Sequence, residues 1–428
     1  MKKIKININI ILLYLYTFIL MYSPNLSYII KIDNFILFGL ATSLYLLKYM
    51  VKKDKIYFSF FKKKIIFIFI IINILATAYY AIRTVIAGTS ITDFYNMRII
   101  QNFMPIVYLM GALIIYHELD IFNYTSKQKY KFIINVVLLQ SIIAIGMIFS
   151  QNLRSIALNI FYSNHEVNEY ITRSRLYGIC DGDYTYGFQI LQGILALFIL
   201  MYAYFYNEKR YVLYSLLALM VTFLNGRFGL IVFVLGIAFF MMYLLFKKMA
   251  VVKVLGITVL ATIIGAVIIF LIYTYLPNTF VLIEHAYTDI LSFINEDSND
   301  TETSILVSMM FAPTGLAIIF GCGFRVFAGK GREFGFERAS DVGFVNDAFM
   351  GGIIYMTLIY SSYLYLVSKI KRFFKRFSFE RTMSNLLILS MILANIKGEV
   401  FRSQLLISNI ILLLIFMLLI GAEKNKNV

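Results

Sequence analysis

The 428-residue sequence contains no tryptophan, four prolines, three histidines and two cysteines. The two thiols, Cys180 and Cys322, make no disulfide framework and fit no metal-binding spacing. His117, His165 and His285 are too scattered along the chain for a His-rich metal site. Charge is scarce as well. Only 14% of residues are charged and 61% are hydrophobic, where a soluble domain has about a quarter and about a half. At a mean hydropathy of +0.80, so much apolar surface cannot be hidden in one water-soluble core. These shortages exclude an ordinary cytosolic enzyme, a secreted disulfide scaffold and a disordered chain. They leave lipid as the solvent.

Acidic residues are the scarcer sign, 23 against 39 Lys and Arg, for a net charge of +16. In a soluble protein that balance would point to nucleic acid. In a membrane protein it asks which side holds the positive charge. A spanning helix takes about 20 mostly apolar residues. The sequence predicts twelve, at 6–22, 28–47, 65–87, 101–117, 132–150, 184–206, 211–224, 228–246, 254–275, 346–368, 383–396 and 403–421. The lysine-rich start resembles a signal peptide, but no small-residue cleavage site follows it, so the first helix is expected to be retained. The expected fold class is an all-α integral membrane protein of about 12 transmembrane helices. Residues 1–275 are expected to hold helices 1–9 with an outer loop at 151–183. Residues 276–345 are expected to form a large periplasmic or extracellular loop, and 346–428 helices 10–12.

Alternating sides puts 26 Lys and Arg in the set of connections that includes both termini, and 13 in the other. The positive-inside rule assigns the richer set, and both termini, to the cytoplasm. The kind of cation differs too. The inner set has 22 Lys and 4 Arg, the outer set 3 Lys and 10 Arg: Arg83, Arg98, Arg154, Arg173, Arg175, Arg227, Arg325, Arg332, Arg338 and Arg402. Topology needs only charge. A guanidinium adds a rigid fork that matches phosphate or carboxylate bidentately. Arginines on the face where positive charge is disfavoured therefore suggest an anionic ligand there. Pairing with outer acids is the alternative.

Three outer stretches concentrate this chemistry. The first, Arg173-Ser174-Arg175-Leu176-Tyr177-Gly178, can present two guanidinium groups to one oligophosphate, or pair them with Asp181, Asp183, Glu166 or Glu169. Asp181-Gly182-Asp183 also matches a metal and nucleotide-sugar pattern, which its outer position disfavours. The second, Asn225-Gly226-Arg227-Phe228-Gly229, is a tight turn between two apolar runs. An arginine so near the bilayer is partnered, functional or snorkelling to headgroups. The third runs from Gly321-Cys322-Gly323-Phe324-Arg325 through Arg338 to Ser340-Asp341 and Asp347, entering a helix at Gly351-Gly352. Ser340 and Asp341 can cap that helix, or Asp341 can serve as a base at the mouth of the cavity. Gly329-Lys330-Gly331 is not a phosphate-binding loop, because position 324 is Phe and no Ser or Thr follows the Lys. The acidic run 296–302 lacks the glycine and ligand spacing of a calcium loop. No metal site is expected, and no internal repeat is visible.

The chain resembles the Wzy family of O-antigen and capsule repeat-unit polymerases, relatives of the O-antigen ligases. The resemblance covers most of the chain as architecture. Its specific part is Arg173 and Arg175 before Gly178, the turn at 225–229, Gly-x-Gly-Phe at 321–324, and Ser-Asp-Val-Gly-Phe-Val-Asn-Asp-x-Phe-x-Gly-Gly at 340–352. The ligases carry a His where this chain has Asp341, which favours a polymerase.

The resemblance implies a GT-C-like fold in the bacterial inner membrane and a glycosyltransferase without cofactor. The donor would be a glycan on undecaprenyl pyrophosphate, and the acceptor a repeat unit on the same lipid. An acceptor hydroxyl would attack the anomeric carbon as undecaprenyl pyrophosphate leaves. Membrane lipid would surround it, a chain-length regulator and a flippase are candidate partners, and nucleic acid is not. The expected catalytic residues are Asp341 as base and Arg227 at the leaving pyrophosphate. Arg173, Arg175, Arg325 and Arg338 are the expected substrate-binding residues. An O-antigen ligase, or a lipid-linked oligosaccharide flippase or transporter, is the alternative.

Overall fold

A computed structural model describes residues 7–24, 34–88, 100–161, 176–180, 187–245, 307–401 and 405–424, with single residues between 256 and 274. Every regular element among them is helical. In chain order the helices are α1 (Ile8–Tyr22), α2 (Asn34–Val51), α3 (Lys55–Phe61), α4 (Lys64–Ile86), α5 (Met104–Ile121), α6 (Ser126–Phe149), α7 (Gln151–Phe161), α8 (Gly187–Phe205), α9 (Arg210–Asn225) and α10 (Arg227–Leu245). After a helical turn at Ala317–Phe320 and a 3-10 segment at Phe327–Phe334 come α11 (Gly343–Phe373), α12 (Phe379–Ala394) and α13 (Leu405–Lys424).

Five helices, α4, α5, α6, α8 and α11, are long and apolar enough to cross a bilayer, and five shorter apolar ones accompany them. The chain is thus an all-helical protein built to sit in a membrane. A helix overlies each expected span except the ninth, 254–275, most of which lies outside the described residues. Edges differ where polar residues have partners. Helix α6 starts at Ser126 rather than 132, because Thr125 and Gln128 form a reciprocal capping box. The expected outer loop at 151–183 opens with the amphipathic helix α7. Helix α11 begins at Gly343, so Gly351-Gly352 falls inside it and not at its entrance.

Helix α8 is the hub. Every residue from Gly187 to Ala203 is buried, and α9, α10, α12 and α13 pack around it. Such a helix, apolar on all sides, belongs in the middle of a bundle. Gly193 lets α10 approach to backbone contact, since a Cβ there would collide with the Gly229 carbonyl. At the periphery, Leu44, Ile74, Leu139 and Ile142 are exposed, which suits lipid and not water.

Lysines knit one end of the bundle. Lys48 Nζ lies 2.6 Å from Glu118, which also accepts from Tyr49 Oη at 2.7 Å. Lys127 and Lys131 of α6 reach Glu208, in the α8–α9 turn, at 2.7 and 2.9 Å. Lys129 pairs with Asp120. His117 meets Asp54 at 2.7 Å. Burial by itself would raise the Asp54 carboxyl, but the His117 hydrogen bond and backbone N–H groups of α3 hold it below its ordinary value. The starts of α8, α10, α11 and α13 lie at the opposite end, with the arginines.

Candidate functional site

The start of α11 is assembled by side chains reaching backbone. The helix cap is Val342, with no side-chain cap bond, so the expected Ser340/Asp341 cap is not what starts this helix. Ser340 Oγ instead accepts from Val342 N at 3.1 Å and donates to Met309 O at 2.8 Å. Asn346 Nδ2 donates to the carbonyls of Ser340 (2.8 Å) and Val342 (3.0 Å), while its Oδ1 accepts from Val326 N at 3.1 Å. One buried amide therefore ties the first turn of α11 to the segment after Arg325. Ser340 N also donates to Val326 O at 3.1 Å. Arg325 and Asp341 thus flank the same backbone pairing. Asp341 is half-buried.

Beneath this lies a second carboxylate. Asp347 is 1% exposed, and its Oδ2 accepts from Tyr360 Oη at 2.5 Å and from Asn395 Nδ2 at 3.2 Å. Asn395 O accepts from Gly343 N at 2.9 Å, so the end of α12 supports the start of α11.

Arg325, one of the expected pyrophosphate ligands, is itself buried at 3% exposure. Its Nε and Nη2 donate to Glu399 Oε1 and Oε2 at 2.8 and 2.9 Å. The fork is filled by a carboxylate from the α12–α13 connection. Arg338 is exposed; its Nη2 donates to Ser308 O at 2.9 Å and its guanidinium lies 4.2 Å from the Phe311 ring centroid.

The Gly-x-Gly at 321–323 has a packing reason. Helix α11 breaks at Gly351 and Gly352, the latter at φ +62°. The Phe349 carbonyl is taken up by Cys322 N at 2.6 Å and Gly323 N at 3.1 Å. A Cβ on Gly321 would collide with Gly351, and one on Gly323 with the Arg83 carbonyl. Arg83 Nη2 donates to Gly321 O at 2.7 Å. The loop is spliced between α4 and the broken α11, and only glycine fits at both contacts.

The other two motifs meet elsewhere at this end. Asn225 Oδ1 accepts from Leu176 N at 2.8 Å, and its Nδ2 donates to Leu176 O at 2.7 Å and to Val221 O at 2.8 Å. Gln189 Oε1 accepts from Phe228 N at 3.1 Å. Gln140 brackets Gly178 by bonding Tyr177 O at 2.7 Å and Ile179 N at 3.2 Å. Gly226 alone, at φ +146°, separates α9 from α10. Arg227 is the first residue of α10, and its side chain lies outside the described residues, as do Arg173 and Arg175 entirely.

The structure therefore gathers Arg325, Arg338 and Asp341 around the start of α11. It separately joins the residue after Arg175 to the turn before Arg227. Glu399, Asp347, Asn395 and Arg83 escape a reading of local motifs. The signal for Asp347 and Asn395 was a polar residue within an apolar run; Glu399 had none, being 74 residues from its partner. Among the described residues no cluster of three His, Cys, Asp or Glu could hold a metal. Compared with known proteins, the chain matches no family model and no curated sequence.

Proposed function

We propose that this chain is a membrane glycosyltransferase that polymerises undecaprenyl-pyrophosphate-linked oligosaccharide repeat units into O-antigen or capsular polysaccharide. With it we propose twelve spans, a GT-C-like arrangement, and an inner-membrane location with both termini cytoplasmic. The observation that carries the reading is the double hydrogen bond between Asn225 and the Leu176 backbone. It fixes the residue that follows Arg173 and Arg175 against the turn that introduces Arg227. Two segments chosen from the sequence for their guanidinium groups are thereby tied together at one end of the bundle.

In the proposed reaction an acceptor hydroxyl oxygen bonds to the donor's anomeric carbon. The bond from that carbon to the pyrophosphate oxygen breaks, and its electron pair leaves with undecaprenyl pyrophosphate. The hydroxyl proton passes to the Asp341 carboxylate. Arg227, Arg173 and Arg175 hold the leaving diphosphate as its charge grows, and Arg338 is a further cation for the glycan-lipid. Such fixed donors are typically worth about 3 kcal/mol each at the transition state. Arg325, already bound to Glu399, is assigned to holding the loop in place.

The test is purified protein with one lipid-linked repeat unit. A ladder of lengthening glycans is expected, and Arg227→Lys should slow it about 100-fold by losing the fork. Normal ladders from that variant remove Arg227 from the site. No ladder, with lipid-linked units carried across a vesicle bilayer instead, makes the chain a flippase. Transfer of finished glycan to a lipid A core makes it a ligase.

A further inference from the structure

Arg83 has no part in that chemistry. It lies in the last turn of α4, and its Nη2 is held by Gly321 O. Its Nε is buried and has no hydrogen-bond partner. A charged donor buried without an acceptor is costly, so the geometry asks for an anion. The surroundings restrict what kind. Ile82, Val85 and Ile86 of α4, Ile319 and Phe320 of the adjoining turn, and Ile353 of α11 are all large, apolar and exposed. The crevice they rim is closed on one side by contacts already fixed. Tyr79 Oη donates to Phe320 O at 3.0 Å, and Gly352 leaves no room for a Cβ against Ile319. The break at Gly351 and Gly352 also starts a fresh half-helix there, whose N-terminal end carries partial positive charge.

Cys322 sits at the same place. Its thiol is half-buried; burial pushes it above its ordinary value, and the nearby Arg83 charge pulls it back. A free phosphate would gain one cation here and lose its water to apolar walls. A phosphate that arrives with hydrocarbon chains gains the walls as well. We propose that the crevice between α4 and α11 binds the phosphate of a membrane lipid, with Arg83 Nε donating to a phosphate oxygen and the chains lying along the apolar rim. This is independent of the glycosyl-transfer reading.

Cys322 is a built-in reporter, because the other thiol, Cys180, is buried. The full-length protein would be purified in maltoside detergent, and maleimide labelling of Cys322 timed, with Cys322→Ser giving the Cys180 background. Dioleoyl phosphatidic acid at ten times its Kd should slow labelling about tenfold. Dioleoylglycerol, with the same chains and no phosphate, should leave the rate unchanged, and so should inorganic phosphate. Arg83→Gln should abolish the protection, and Arg83→Lys should weaken it while keeping the protein's melting temperature. Equal protection by dioleoylglycerol overturns the proposal, and so does equal protection by inorganic phosphate. Undiminished protection in either folded variant overturns it too. Should Arg83→Gln fail to fold, Arg83→Lys and the two control ligands still decide. The glycan ladder plays no part in this readout, so either idea can fail alone.

Discussion

A guanidinium and a carboxylate buried together stand or fall as a pair. Arg325 and Glu399 are each 3% exposed, and each satisfies the other twice. Removing one partner strands the other. Glu399→Gln should cost about 3–5 kcal/mol, measured as thermal unfolding in detergent, whereas the double change Arg325→Met with Glu399→Leu should cost much less. A neutral single variant would mean that the pair is not dry. Gly323→Ala, at φ +85° and against the Arg83 carbonyl, should cost about 1–3 kcal/mol in the same measurement. That outer arginines might be answered by acids was legible in the sequence. The partner was not, because nothing local links residue 325 to residue 399. The same limit hid Arg83, whose acceptor is a backbone carbonyl 238 residues away.

At the scale of elements, the turns carry the information. Asn225→Ala removes three hydrogen bonds that join the end of α9 to Leu176, and should cost about 1–3 kcal/mol. It should also raise proteolysis near residue 176, and an unchanged cleavage pattern would count against the tie. At the other end, hydrogen bonds from Lys127 and then Lys131 hold Glu208 down to about 2, below an ordinary 4.5. A carboxyl lowered on folding contributes stability above its unfolded value and loses it as pH falls through the folded one. The melting temperature of the wild type should therefore fall between pH 4.5 and pH 2, and that of Glu208→Gln should fall less. Parallel curves would show the turn to be unlinked. Apolar run length located these helices well. It misplaced the start of α6, where lysines that look too polar for a helix are each engaged by an acid or an aromatic ring.

For the whole molecule the prediction concerns sides. Lysines pair at one end of the bundle, and the described arginines 83, 325 and 338 gather at the other. In a variant lacking the native thiols, a cysteine replacing exposed Glu337 should react with an impermeant reagent in intact cells. One replacing exposed Lys375 should react only after permeabilisation. The reverse pattern would invert the topology and end the glycosyl-transfer proposal. Overall class was legible because hydropathy is a property of each residue alone. The site was legible only in part, because its geometry depends on which helix ends become neighbours.

The break in α11 has a mechanical meaning. A span that borrows its missing turn from residues 322 and 323 behaves as a hinge held by a pin. Withdraw the pin and the two halves must re-register, turning Tyr355, whose hydroxyl is anchored to Asn102 just before α5. Whatever grips the loop from outside would thus be felt several turns deep among the packed helices.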